Sequence, residues 1–197
     1  ALATYYEAAA CGRSGALTTV GARQSAAGMA LATLCRDTLL RDGVQALEDV
    51  RAGHLTDAVE NIVEANIYLS GIGFESGGLA AAHAVHNGFT ALPETHHLLH
   101  GEKVAFGTLV QLVLDGRGAD ELQQIITFCC ACGLPVTLGD MGLDHVSDEA
   151  LMEVARISCA PEDTMVNMPG GVTAAEVCKA IRVADITARL FCAAQQA

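Results

Sequence analysis

Apolar positions recur every three or four residues along most of the chain, and short turn-forming clusters interrupt them. Leu2, Tyr5, Tyr6 and Ala9 fall on one face, so Leu2 to Ala10 reads as a helix broken by Cys11-Gly12-Arg13-Ser14-Gly15. Ser25 caps a second helix running to about Arg41, which Asp42-Gly43 is expected to stop, with a short helix from Val44 to Arg51 beyond it. Thr56 caps the next, whose Val59, Ile62, Val63, Asn66 and Leu69 share a side. Further helices are expected at Leu79 to Asn87, at Glu102 to Leu114 and at Asp120 to Cys132. The last of these has Gly133 at its C′ position and Pro135 just beyond. Ser147 opens another helix with acids in its first turn. Thr173-Ala-Ala-Glu176 is a capping box for a final long helix. No alternating apolar–polar run extends beyond a few positions, so no sheet is expected. The fold class is all-α, a multi-helix bundle of eight to ten helices in a single domain over residues 1–197.

Composition supports this pattern and excludes some functions. Hydrophobic residues make up 51% and charged residues 17%, which is too apolar for a disordered acidic segment. The net charge of −12 opposes binding to nucleic acid or to an anionic membrane surface, both of which need basic patches. No apolar run reaches the length of a membrane span. The start, Ala1-Leu2-Ala3-Thr4, carries neither a Met nor the basic n-region of a signal peptide. The eight cysteines lie mostly in Ala-rich helical segments and read as small core hydrophobes in a reducing, cytoplasmic compartment. Cys129 and Cys132 form a C-x-x-C, but no strand precedes it and no second pair follows. The Gly-rich segment 70–78 lacks the G-x-x-x-x-G-K-[ST] signature and a leading strand, so it reads as close helix packing or a hinge.

Candidate chemistry concentrates in one place. Five of the seven histidines, His83, His86, His96, His97 and His100, fall within 18 residues. His83 and His86, spaced i and i+3, share a helix face. A turn at Pro93 can return the chain so that His100, at the mouth of the next helix, meets them. Neutral imidazole is a common ligand for Zn²⁺ or Fe²⁺. His96 and His97 read as surface residues. No H-E-x-x-H is present, and Glu75, Glu94 and Glu102 are nearby carboxylates without a recognisable ligand spacing.

The stretch Glu75-Ser-Gly-Gly-Leu-Ala-Ala-Ala-His83-Ala-Val-His86-Asn-Gly, followed by His96-His-Leu-Leu-His100-Gly-Glu-Lys-Val-Ala-Phe-Gly107, resembles the bacterial glycerol dehydrogenases. These belong to the iron-containing (group III) alcohol dehydrogenases, of dehydroquinate synthase-like fold. Glu64-Ala-Asn-Ile-Tyr-Leu-Ser-Gly-Ile-Gly-Phe and Asn167-Met-Pro-Gly-Gly171 extend the resemblance over essentially the whole chain. It implies a helical, metal-binding C-terminal domain, with the family's N-terminal NAD-binding domain absent from these residues. His83 and His100 correspond to two Zn²⁺ ligands. The family's third ligand, an Asp, would directly precede Ala1. His86 corresponds to a residue near the nicotinamide and the substrate oxygen, although its i+3 spacing from His83 departs from the i+4 of related alcohol dehydrogenases. The implied activity of the intact enzyme is oxidation of glycerol to dihydroxyacetone with NAD⁺, with another small polyol as the alternative substrate. The chain alone is expected to be inactive. The alternative is a folded helical oligomerisation module without metal or catalysis, since family members form homo-oligomers, commonly octamers. A further expectation is exposed apolar surface and a tendency to associate.

Overall fold

Side-chain caps set helix starts where the hydroxyl-bearing residues stand. The Ser25, Thr56 and Ser147 hydroxyls accept from the backbone N–H of Gly28, Val59 and Ala150. Thr173 and Glu176 bond reciprocally, with Thr173 N–H donating to Glu176 at 2.8 Å and Glu176 N–H to the Thr173 hydroxyl at 3.3 Å. In the computed structural model, which describes residues 1–195, the helices are α1 (Leu2–Ser14), α2 (Ala26–Arg51), α3 (Asp57–Glu64), α4 (Ser70–Gly77), α5 (Ala81–Phe89), α6 (His100–Leu114), α7 (Ala119–Ala131), α8 (Asp148–Ser158) and α9 (Ala174–Gln195). The only extended pairing among the described residues is an isolated bridge between Leu17 and Arg23. The all-α expectation therefore holds. No helix among these residues is long and apolar enough to cross a membrane.

The chain forms two compact units, Ala1–Leu79 and Ala80–Ala197. In the first, small residues let helix backbones approach closely. A Cβ on Gly73 would meet Thr4 and the Ala32 backbone at 2.9 and 3.4 Å, one on Gly77 would meet Ala8 at 2.7 Å, and one on Gly28 would meet Ser76 at 2.8 Å. The Gly-rich segment is thus a packed helix, α4, and its glycines serve close approach. The Gln24 amide donates to the carbonyls of Ala8 (2.6 Å) and Gly77 (2.9 Å), and Thr4 and Ser70 share a hydroxyl bond of 2.9 Å, so the buried polar atoms find partners.

Three expectations for this unit are corrected. Helix α1 runs on through Gly12 to Ser14 and ends where Gly15 takes φ 74°. That left-handed geometry favours glycine, and its N–H closes onto Cys11 O. Helix α2 does not stop at Asp42-Gly43 but continues to Arg51. Asp42 is held by Arg41 and by the Asn61 amide instead of breaking the helix, and burial of Leu39 and Ala46 offsets the roughly 1 kcal/mol that a mid-helix glycine costs. Residues Ala65–Leu69 form a π-helical turn. The expected face is not shared: Val59 and Leu69 are buried while Val63 and Asn66 are exposed.

In the second unit, α5 and α6 pack at backbone distance. A Cβ on Gly107 would collide with the Ala82 carbonyl, and one on Gly88 with Val154 and Ser158 of α8. Phe89 and Phe106 meet edge to face at 5.8 Å. The α5 N-terminus has no side-chain cap of its own. The Gln111 side-chain carbonyl, from α6, accepts from Ala82 N–H at 2.9 Å and satisfies one orphan donor.

Candidate functional site

The site grows from the α5–α6 pair. Ala81, Ala82, Ala84 and Val85 point α5 into the core, which leaves His83 and His86 half-buried at its edge. The turn Pro93–Thr95 reverses the chain. The Thr95 hydroxyl, fully buried, donates to Phe89 O at 2.7 Å and locks that reversal. Glu102 then accepts from Leu99 N–H at 2.6 Å and opens α6 at His100. The buried Lys103 ammonium donates to the carbonyls of Thr95 and Leu98 (3.4 and 3.3 Å), which ties the loop to the first turn of α6.

This frame brings three of the five clustered histidines together. The His83 and His100 ring centroids lie 5.3 Å apart, and those of His86 and His100 lie 4.4 Å apart. His96 and His97 are exposed, and the His96 ring contacts Thr90 O at 2.9 Å. Glu94 is exposed and Glu102 is used as a cap, so neither completes a cluster with the imidazoles. Among the described residues no group of three or more His, Cys, Asp or Glu side chains is arranged to hold a metal ion.

The hydrogen bonds assign the tautomers. Asp163, at the N-cap of the short helix Thr164–Asn167, accepts from the Asn87 amide nitrogen at 3.2 and 3.0 Å. The Asn87 carbonyl oxygen therefore faces His86 Nδ1 at 2.9 Å and must accept from it. A neutral His86 then has a lone pair on Nε2, which accepts from His100 Nδ1–H at 3.1 Å. His100 is left with its Nε2 lone pair available to a ligand. Asn87 and Asp163 carried no motif at the level of sequence. They stand 76 residues apart, and only the docking of the 164–167 segment onto α5, through the Thr164 hydroxyl on Ala80 O at 2.6 Å, brings them together.

Both bonded imidazoles are held below the ordinary value of 6.5. Burial is the main cause for each. Lys103 and His83 add to it for His86, and His86 and His83 for His100. Both are thus neutral at pH 7, as ligation or proton acceptance requires. The unfolded chain takes up these protons more readily than the folded one, so stability rises with pH in this range. The unfolding midpoint is therefore expected to fall as the pH drops through 6.5 and to level off at lower pH, once both folded imidazoles are also protonated. In a His86→Gln, His100→Gln double variant, that slope should shrink in denaturant titrations across the range.

Comparison with known proteins agrees with the fold. No family model matches the chain. Over 186 residues it is 53% identical to a glycerol dehydrogenase of Citrobacter freundii, a match spanning 94% of this chain and 51% of that protein. It is 46% identical over 184 residues to a glycolaldehyde reductase of Halobacterium salinarum, across 93% of this chain and 50% of that one. The crystal structure of glycerol dehydrogenase from Schizosaccharomyces pombe superposes with a TM-score of 0.94 at 40% identity, covering 96% of this chain and 49% of that one. A probable glycerol dehydrogenase from Sinorhizobium meliloti gives 0.93 at 43% identity, covering 96% and 53%. The chain spans about half the length of the curated relatives it matches. By sequence and by structure, the chain is similar to the helical C-terminal half of the glycerol dehydrogenases.

Proposed function

We propose that this chain is the metal-ligating helical part of an NAD-dependent dehydrogenase acting on glycerol or a similar small polyol. The observation that carries the reading is the convergence of His83, His86 and His100 from two helices, with His86 and His100 hydrogen-bonded in a defined order. His83 and His100 suit two positions of a Zn²⁺ centre, through imidazole nitrogen. They do not make a complete donor set, since among the described residues no group of three or more His, Cys, Asp or Glu side chains is arranged to hold a metal ion. Zn²⁺, when bound, supplies a Lewis acid that lowers the pKa of an alcohol oxygen.

The chain's own residues position the imidazoles. Asn87 holds His86 in the Nδ1–H form, so that its Nε2 lone pair accepts from His100 Nδ1–H and the His100 Nε2 lone pair is kept for the metal. Asp163, behind Asn87, accepts from the Asn87 amide nitrogen and so turns the Asn87 carbonyl oxygen toward His86. Lys103 fixes the backbone of the loop leading into His100. The hydride acceptor in this reading is the nicotinamide of NAD⁺, whose chemistry is its own. Dinucleotides bind at the strand ends of a parallel sheet, and the described residues contain no such sheet, so they do not fit NAD.

The expected outcome is therefore split. Calorimetric titration of the 197-residue chain with Zn²⁺ should show weak binding that depends on His83 and His100. The same sample given glycerol and NAD⁺ should form no NADH. No zinc binding at all would refute the ligand assignment. Turnover by the chain alone would refute the division of labour. A second reading, a module for self-association, is favoured by one observation: Val183, Ile186 and Leu190 form an exposed apolar stripe on α9. Light scattering on that sample tests it, and the stripe predicts an assembly that Ile186→Glu dissociates.

A further inference from the structure

No disulfide links the eight cysteines, all of which lie among the described residues. They nevertheless differ sharply in environment. Cys11, Cys35 and Cys129 are buried, and burial pushes the thiols of Cys11 and Cys129 up to about 12, which makes them inert packing groups. The C-x-x-C of Cys129 and Cys132 is thus no dithiol pair, because its first member faces the core. The close pair is a different one that sequence spacing does not reveal. Cys130, near the end of α7, and Cys192, near the end of α9, bring their sulfurs to 3.8 Å across 62 residues. Cys130 is exposed and Cys192 half-buried, and both line a cleft of about 730 Å³ that also holds Arg189 and Asp140.

We infer that Cys130 and Cys192 form a redox modification site, closed to an intrachain disulfide between α7 and α9 by a hydroperoxide. A disulfide bond is about 2.05 Å long, so the sulfurs must close by about 1.8 Å, a movement within the reach of side-chain rotation at two partly open positions. The chemistry balances as follows. The thiolate of one cysteine, its proton lost to solvent, attacks one oxygen of hydrogen peroxide; the S–O bond forms, the O–O bond breaks, and the products are a sulfenic acid and a hydroxide that takes up that proton as one water. The second thiol attacks that sulfur, the S–S bond forms, the S–O bond breaks, and the departing hydroxide leaves as a second water after taking the thiol proton. The two thiols together lose two electrons and the peroxide gains them. Burial, the contact with Cys192 and the nearby Asp140 hold the Cys130 thiol up at about 11, so the reaction is slow at neutral pH and accelerates as the pH rises.

The test is peroxide treatment of the intact folded chain, capping of remaining thiols with N-ethylmaleimide, and peptide mapping by mass spectrometry. The expected product is a Cys130–Cys192 linked peptide, two hydrogens lighter than the free pair and lost on dithiothreitol treatment. It should be at least about tenfold more abundant than any other linked pair, with a yield that rises between about pH 7 and about pH 9. In Cys192→Ser the linked peptide should vanish and Cys130 should accumulate as the sulfinic acid. Absence of the linked peptide from the oxidised wild-type chain overturns the inference, as does a dominant Cys129–Cys132 or intermolecular product. The wild-type map decides this without any variant having to fold.

Discussion

Gly107→Val should destabilise the second unit by about 3 kcal/mol and lower its thermal midpoint by about 10 °C. Gly107 lies in α6 with ordinary helical geometry, so helix propensity alone predicts a gain from replacing it. The packing reverses the sign. Any Cβ at this position collides with the Ala82 carbonyl of α5, a backbone atom that cannot turn aside as a side chain would. The helices must separate, and this disturbs the residue next to Ala82, which is His83. The same substitution should therefore abolish the zinc binding proposed for His83 and His100. Gly101 provides the control within the same helix, because a Cβ there meets nothing within 4 Å. Gly101→Ala should raise the midpoint slightly, worth about 0.5–1 kcal/mol. Calorimetric unfolding of the two variants gives opposite signs if the contact governs. If Gly107→Val is as stable as the parent, the close α5–α6 approach is wrong.

Removal of His100 should lower zinc affinity by at least about 100-fold, beyond the 10–100-fold typical of losing an outer-shell partner. His83→Ala should match it. Asn87→Ala should cost about tenfold, because it removes only the group that sets the His86 tautomer and, through His86, the orientation of the His100 ring. The order of the three effects, more than their size, is the informative result, and competition against a chromophoric chelator reads it. Equal affinities for Asn87→Ala and His100→Ala would show that the imidazole order inferred from the hydrogen bonds is not the one that binds metal. His96→Ala serves as the neutral reference, since its exposed ring stands apart from the cluster on Thr90 O.

Much of the helical framework is legible in the order of the residues. Helix starts are local: Ser25, Thr56, Ser147 and Thr173 carry the hydroxyl that an N-terminus needs, and each stands where a helix begins. Ends marked by glycine are legible where the glycine takes positive φ, as at Gly116 and Gly133. Gly43 misleads because a glycine inside a helix and one at its end look alike in sequence. What separates them is whether the neighbouring turns are buried, and Leu39 and Ala46 are. The π turn at 65–69 is equally hidden, for it shifts a register without changing a composition.

The site divides in the same way. The sequence by itself determined the helical class, the histidine concentration and the family resemblance, because periodicity, composition and motif are properties of neighbouring residues. Tertiary structure alone decided which imidazoles meet. It also decided that Asp163 acts on them through Asn87 from 76 residues away, that Glu102 is spent as a helix cap, and that Cys130 finds Cys192 and not its near neighbour Cys132. Each of these depends on two segments docking at distances of a few ångströms. Such docking is set by the total packing of the core, in which a small residue such as Gly107 counts for what it lets approach.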